Sequence, residues 1–170
     1  NAVVSIYEPG STFKPIIASS ALAAGKWQLD TVYNDTGTIL IDGHHMKNWD
    51  GRGSGKVRLL DILKYSINTG MAYLGTTAGG DVLTDYVKRF GFGKATGIEL
   101  PAEGDGILFD PATMTKLDVA TMSSGQGIAV TPLQMVQAFG ALANGGKMMK
   151  PHIIKSIANP DGSIYKEAQD

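Results

Sequence analysis

The apolar positions of this chain fall into short blocks whose period changes several times along its length. Residues 3–7 alternate weakly and stop at Glu8-Pro9-Gly10, which predicts a short strand entering a turn. From Ser11 the spacing becomes helical: Phe13, Ile16, Ile17 and Leu22, with several alanines, form one apolar face. Ser11 is a good N-cap type, Pro15 suits a first turn, and Gly25 suits the position just past the helix. Residues 36–42 read as a strand, and residues 43–55 as a polar, glycine-rich loop carrying His44, His45 and Trp49.

Residues 57–65 return to helical spacing through Leu59, Leu60, Ile62 and Leu63. Ser66-Ile67-Asn68 breaks that run, and a second helix is predicted over 69–77. A third covers 81–90, with Asp81 as its cap and Gly91 closing it. Residues 98–101 read as extended and 118–122 as a short helix or turn. Thr131-Pro132-Leu133-Gln134 is a strong helix start: a threonine cap, proline at the first position and glutamine placed to close a capping box. That helix ends at Asn144-Gly145-Gly146. Residues 152–158 and 163–166 flank Asn159-Pro160-Asp161-Gly162 and predict a β-hairpin.

Composition narrows the function classes. The chain has 170 residues, 43% hydrophobic and 18% charged, enough to bury the core of one ordinary domain. A formal net charge of -1 leaves no basic excess to neutralise a phosphate backbone, which argues against nucleic acid as a partner. The absence of cysteine excludes disulfides, thiol catalysis and thiolate-held metals. The longest mainly apolar stretch, 127–143, is interrupted by Thr131, Pro132, Gln134 and Gln137, and reads as a helix of a globular domain. Asn1-Ala2 reads as an expression-vector scar, and the chain as a piece cut from something longer.

Two motifs carry candidate chemistry. Ser11-Thr12-Phe13-Lys14 at a helix start puts Ser11 and Lys14 roughly 60° apart on one face. A neutral Lys14 within reach of Ser11 would take its proton and make it a nucleophile. The bland alternative is an N-cap serine beside a solvated lysine. Ser163-Ile164-Tyr165-Lys166 repeats the spelling in a predicted strand, where the odd offset sends the side chains to opposite faces. Ser66-Ile67-Asn68 lies at a break between apolar helices: Ser66 could relay a proton and Asn68 could hold an amide, or Asn68 could merely cap the next helix. His44, His45 and His152 have no metal-type partner set and read as solvated, and Trp49 reads as a packing residue, with a place flanking the cleft as the alternative. Gly51 to Lys56 fails the phosphate-loop frame at Asp50, and Asn34-Asp35-Thr36 is a glycosylation sequon by spelling only.

Taken together, Tyr7-Glu8-Pro9-Gly10-Ser11-Thr12-Phe13-Lys14-Pro15 closely resembles the nucleophile segment of class B penicillin-binding proteins, the monofunctional peptidoglycan transpeptidases. Tyr65 to Gly70, Phe90 to Gly97 and Gly125 to Gly146 resemble further stretches of the same family, in the expected order. The resemblance implies a penicilloyl-serine transferase (β-lactamase/transpeptidase-like) fold, an α+β domain with a helical lobe and, in this chain, an incomplete antiparallel sheet. It implies Ser11 as the acylated nucleophile, Lys14 as base, Ser66 as proton relay and Asn68 as orienting group, with no cofactor and no metal. Implied partners are peptidoglycan stem peptides ending in D-Ala-D-Ala, β-lactam antibiotics and, through the parent protein, other cell-wall synthesis proteins. The implied location is the extracytoplasmic face of the bacterial cell membrane.

The family's third motif, Lys-Thr-Gly or Lys-Ser-Gly on an edge strand, is absent; Lys94-Ala95-Thr96-Gly97 has the wrong spelling and place. Residues 1–170 therefore read as a partial transpeptidase domain, with that strand expected beyond Asp170 and the chain alone expected to be catalytically crippled. A β-lactam sensor, a serine β-lactamase and a non-catalytic scaffold module of a cell-wall complex are the competing readings.

Overall fold

Gly10 turns the chain at φ +55°, and one 3-10 turn, Gly10–Phe13, precedes the regular helix α1 (Lys14–Ala23). This computed structural model describes residues 2–167. Ser11 thus lies inside the 3-10 turn and is not an N-cap, while Pro15 sits in the first turn of α1, where its missing N–H costs no hydrogen bond. The strand expected over 3–7 reduces to a single bridge between Tyr7 and Val130, because residues 2–4 form a turn.

β1 (Tyr33–Asp35) precedes the region read as one strand and a loop, which holds β2 (Thr38–Ile41) and β3 (His44–Lys47) and runs at its end into β4 (Gly55–Val57). β1 pairs antiparallel with β4, Tyr33 opposite Val57, and β2 with β3, Ile41 opposite His44. Asp42 and Gly43 link β2 to β3 with φ +49° and +82°, the two positive values that a two-residue hairpin of the I′ type requires. The residues expected as a polar loop therefore include a hairpin strand.

The helices follow the apolar spacing closely. They are α2 (Leu59–Lys64), α3 (Asn68–Ala78), α4 (Gly80–Arg89), α5 (Lys116–Met122) and α6 (Pro132–Ala143). α4 starts at Gly80 with Gly79 as its cap, so Asp81 is in its first turn and is not the cap. α6 begins as its sequence dictates: Thr131 Oγ1 accepts from Gln134 N–H at 3.1 Å, and Thr131 N–H donates to Gln134 Oε1 at 2.9 Å. The terminal hairpin is β5 (Ser156–Ala158) with β6 (Ile164–Glu167), whereas residues 98–101 join no sheet.

α1 and α3 pack together at the centre, with α4 against α1 and α5 against α3. Phe13, Ile16, Ile17, Met71 and Leu74 are fully buried between them. Each such side chain contributes about 1.5–3 kcal/mol by leaving water. Phe13 meets Phe92 edge-on with ring centroids 5.0 Å apart, which ties the 3-10 turn to the segment after α4. Trp27, with Tyr33 and Tyr73, packs below β1, whereas Trp49 is 83% exposed and packs into no core. The architecture is α+β: a helical body carrying three separate two-stranded antiparallel sheets.

Candidate active site

The turn that carries Ser11 is held from both sides. Tyr7 and Val130 exchange backbone hydrogen bonds at 3.0 and 2.9 Å, and Gly10 N–H donates to Gly125 O at 2.9 Å. Gly125 stands at φ +72°, and a Cβ there would overlap the Gly10 carbonyl oxygen, so the two backbones meet as closely as they can. Gly127 N–H also donates to Glu8 Oε1 at 2.9 Å. The loop 123–127 is thereby laced to the turn that carries Ser11.

Lys14, the first residue of α1, is 2% exposed. Its Nζ donates to Ser66 O at 2.8 Å, to Ser66 Oγ at 2.8 Å and to Asn68 Oδ1 at 2.7 Å. Ser66 Oγ in turn donates to Ser11 Oγ at 3.0 Å. The spacing of Ser11 and Lys14 predicts direct contact. Instead all three ammonium donors go to residues 66 and 68, and Ser66 Oγ links the lysine to Ser11.

Ser66 stands after α2 at φ +55°, a left-handed conformation that costs a non-glycine residue about 1–3 kcal/mol. In that conformation its carbonyl and hydroxyl oxygens both bond the same ammonium. Asn68 is the first residue of α3 and does not cap it; Ile67 holds the cap position without a side-chain bond. The Asn68 amide splits between Lys14 and a long bond, 3.4 Å, to Lys47 O.

Burial lowers the Lys14 pKa from 10.5 to about 8. Near pH 7.5 about a quarter of such a lysine is neutral, against roughly one in a thousand for an ordinary one. A cavity of about 290 Å³ opens beside Ser66, with Trp49, Arg52 and Tyr65 on its walls. A second, of about 390 Å³, lies at the far end of α1 between Ala23, Phe90 and Leu142 and holds none of the four predicted site residues. So the structure brings Ser11, Lys14, Ser66 and Asn68 into one connected cluster.

Residues 1–170 match the penicillin binding protein transpeptidase domain. The chain belongs to that family. Stage V sporulation protein D of Bacillus subtilis is 42% identical over 160 residues, covering 93% of this chain and 25% of that protein. Peptidoglycan D,D-transpeptidase MrdA of Acinetobacter baumannii is 31% identical over 180 residues, covering 99% and 27%. The crystal structure of penicillin binding protein 3 from Mycobacterium tuberculosis, complexed with aztreonam, superposes with a TM-score of 0.90 at 31% identity, covering 99% of this chain and 38% of that one. The chain thus spans about a quarter of the length of the curated relatives it matches.

Other residues of this transpeptidase-family chain take structural places. Thr96 and Gly97 N–H groups donate to Glu103 carboxylate oxygens at 2.7 and 2.9 Å, so the Lys94-Ala95-Thr96-Gly97 segment is a pinned loop. Ser163 Oγ bonds Asp161 in the exposed terminal hairpin, far in sequence from the cluster. Among the described residues no group of three or more His, Asp or Glu side chains is placed to hold a metal ion. No helix there is long and apolar enough to cross a membrane. The sequence reading missed one group below the site, the buried Asp35 with Asn48 and Thr69; its only signal was a sequon spelling.

Proposed function

We propose that this chain carries the nucleophile half of a peptidoglycan D,D-transpeptidase domain, with Ser11 as the acylated residue, Lys14 as base, Ser66 as relay and Asn68 as the group that orients Lys14 and substrate. The observation that carries this reading is the unbroken path from Ser11 Oγ to Ser66 Oγ, 3.0 Å, and on to Lys14 Nζ, 2.8 Å. A neutral Lys14 keeps two N–H donors and gains a lone pair. Ser66 O and Asn68 Oδ1 can only accept, so they keep those two donors. Ser66 Oγ is the one partner able to reverse and donate to the lone pair, and it then accepts from Ser11. A proton leaving Ser11 Oγ reaches Lys14 Nζ through that hydroxyl.

The Ser11 oxygen attacks the penultimate D-Ala carbonyl of a stem peptide. The C–N bond to the terminal D-Ala breaks, and the departing amine takes the proton back from Lys14 along the same path. The amino group of a second stem peptide then attacks the Ser11 ester, loses a proton to the relay, and Ser11 leaves with its hydroxyl restored. A β-lactam enters the same first step, but its amine stays tethered to the acyl group, so the ester on Ser11 persists. The aztreonam complex of the Mycobacterium tuberculosis relative supports this reading. Neither step calls for a cofactor.

The lowered Lys14 pKa fits a base working near neutrality. We place a Lys-Thr-Gly or Lys-Ser-Gly strand in the parent protein after residue 170, supplying a carboxylate-binding hydroxyl and part of the oxyanion hole beside the Ser11 amide. Stem-peptide substrates place the domain on the extracytoplasmic face of the cell membrane, among other cell-wall synthesis proteins. Intact-mass spectrometry of the full-length protein with benzylpenicillin tests the assignment: one adduct is expected, lost in Ser11→Ala. No adduct on the full-length protein overturns it. Transfer of a donor stem peptide to an acceptor amine separates a transpeptidase from a sensor, and fast adduct loss marks a β-lactamase.

A further inference from the structure

Below residues 66–68 lies a buried acid that the reaction above does not use. Asp35, the last residue of β1, is 2% exposed, and its side chain pairs with no Lys or Arg; among the described residues the ion pair is Arg89 with Asp85. Four groups donate to its carboxylate instead. Gly37 N–H and Ser54 N–H do so at 2.9 Å each, Asn48 Nδ2 at 3.0 and 2.9 Å, and Thr69 Oγ1 at 2.6 Å. Burial pushes the Asp35 carboxyl up, but the bonds from Thr69, Gly37, Ser54 and Asn48 outweigh it and hold it below the usual range.

Asn48 links this acid to the site. Its Nδ2 also donates to Arg52 O at 2.9 Å, and its Oδ1 accepts from Thr69 N–H at 3.2 Å. Thr69 is fully buried and follows Asn68 directly. No side chain caps the start of α3 from the Ile67 position, so the Asn48 amide takes up an N–H that a cap would otherwise satisfy. Two residues before Asn68 stands Ser66 at φ +55°, a conformation that its surroundings must hold in place.

We propose that Asp35, acting through Asn48 and Thr69, is a positioning residue that fixes Ser66 and Asn68 against Lys14. It rests on the relay assigned above. The four donors converge on the acid, so position 35 needs an acceptor at both oxygens. An amide there would turn an N–H toward another donor and loosen the first turn of α3. A hydroxyl at 69 is needed for the same reason, because it is the shortest of these bonds and the one that joins the acid to α3.

The test uses the full-length protein and a fluorescent penicillin, resolving the non-covalent binding constant, the acylation rate constant per active site and the active fraction. Asp35→Asn and Thr69→Val should each lower the per-site acylation rate constant roughly 10- to 100-fold and leave non-covalent binding unchanged. Thr69→Ser, which keeps the hydroxyl, should return the rate constant to within about twofold. A merely structural role would lower the active fraction and spare the per-site constant. If Asp35→Asn does not fold, the Thr69 pair decides. A Thr69→Val per-site constant equal to that of the parent protein, or a Thr69→Ser constant as low as that of Thr69→Val, overturns the inference alone. Failure of the unsubstituted protein to acylate at Ser11 overturns the transpeptidase reading, and this inference with it.

Discussion

Lys14→Met keeps most of the volume of a side chain that is 2% exposed and removes its charge. Burial lowers the Lys14 pKa from 10.5 to about 8. At 1.36 kcal/mol per unit, that displacement is a penalty of about 3 kcal/mol on the folded state. Its pH course has a definite sign. Below about pH 8 the lysine is protonated both folded and unfolded, and the penalty is full. Between about pH 8 and 10.5 the unfolded chain binds more protons than the folded one, so stability rises with pH; above that range the term is flat. Methionine has no such term.

The stability of Lys14→Met minus that of the unsubstituted protein should therefore fall by about 3 kcal/mol between neutral pH and about pH 10.5. The substitution also strands the acceptors Ser66 O and Asn68 Oδ1, at about 1–3 kcal/mol each, but that cost does not vary with pH. The slope, not the offset, is the diagnostic quantity. Urea denaturation of both proteins over this range measures it, with the other titrating groups cancelling in the difference. A flat difference would refute the reasoning, because Lys14 would then titrate as an ordinary lysine and could not serve as a base near neutrality.

Two further substitutions probe the frame around the cluster. Gly125→Ala puts a methyl group against the Gly10 carbonyl at φ +72°, and should cost roughly 3 kcal/mol in thermal unfolding and abolish penicillin labelling of Ser11; native melting with full labelling would show that the loop gives way freely. Ser66→Gly relieves the left-handed serine, so stability should hold or rise by up to about 1 kcal/mol while acylation falls at least ~100-fold. A clear loss of stability would mean that the Ser66 hydroxyl serves the fold more than the relay.

Local capping chemistry was legible in the sequence; of the long-range polar bonds, only those joining Lys14 to Ser66 and Asn68 were implied, and those by the family resemblance. The start of α6 could be read because Thr131 and Gln134 satisfy each other within one turn. The other bonds of the same glutamine, from Nε2 to Lys94 O and to Asp105 O at 2.8 Å each, cross 40 and 29 residues and leave no local mark. The β2–β3 hairpin was spelled by Asp42-Gly43, yet His44 to Lys47 are polar enough to hide a strand whose face is mostly exposed. Asp35 was hidden more deeply: its partners Asn48 and Thr69 lie 13 and 34 residues away, and a lone aspartate at a strand end ordinarily reads as solvated.

Ser66 shows most clearly where the site and the local rules conflict. A helix break at residues 66–68 is visible from the apolar spacing, but nothing local explains a serine at φ +55°, where glycine would be unstrained. On the proposed relay, the requirement comes from Lys14, 52 residues earlier in the chain. Its ammonium must surrender one proton-bearing contact when it becomes neutral, and carbonyl and amide oxygens cannot turn from acceptor to donor. A hydroxyl can. Glycine would make the turn without strain and leave the lysine without that partner, so a strained serine is what remains when the turn and the relay atom must occupy the same residue.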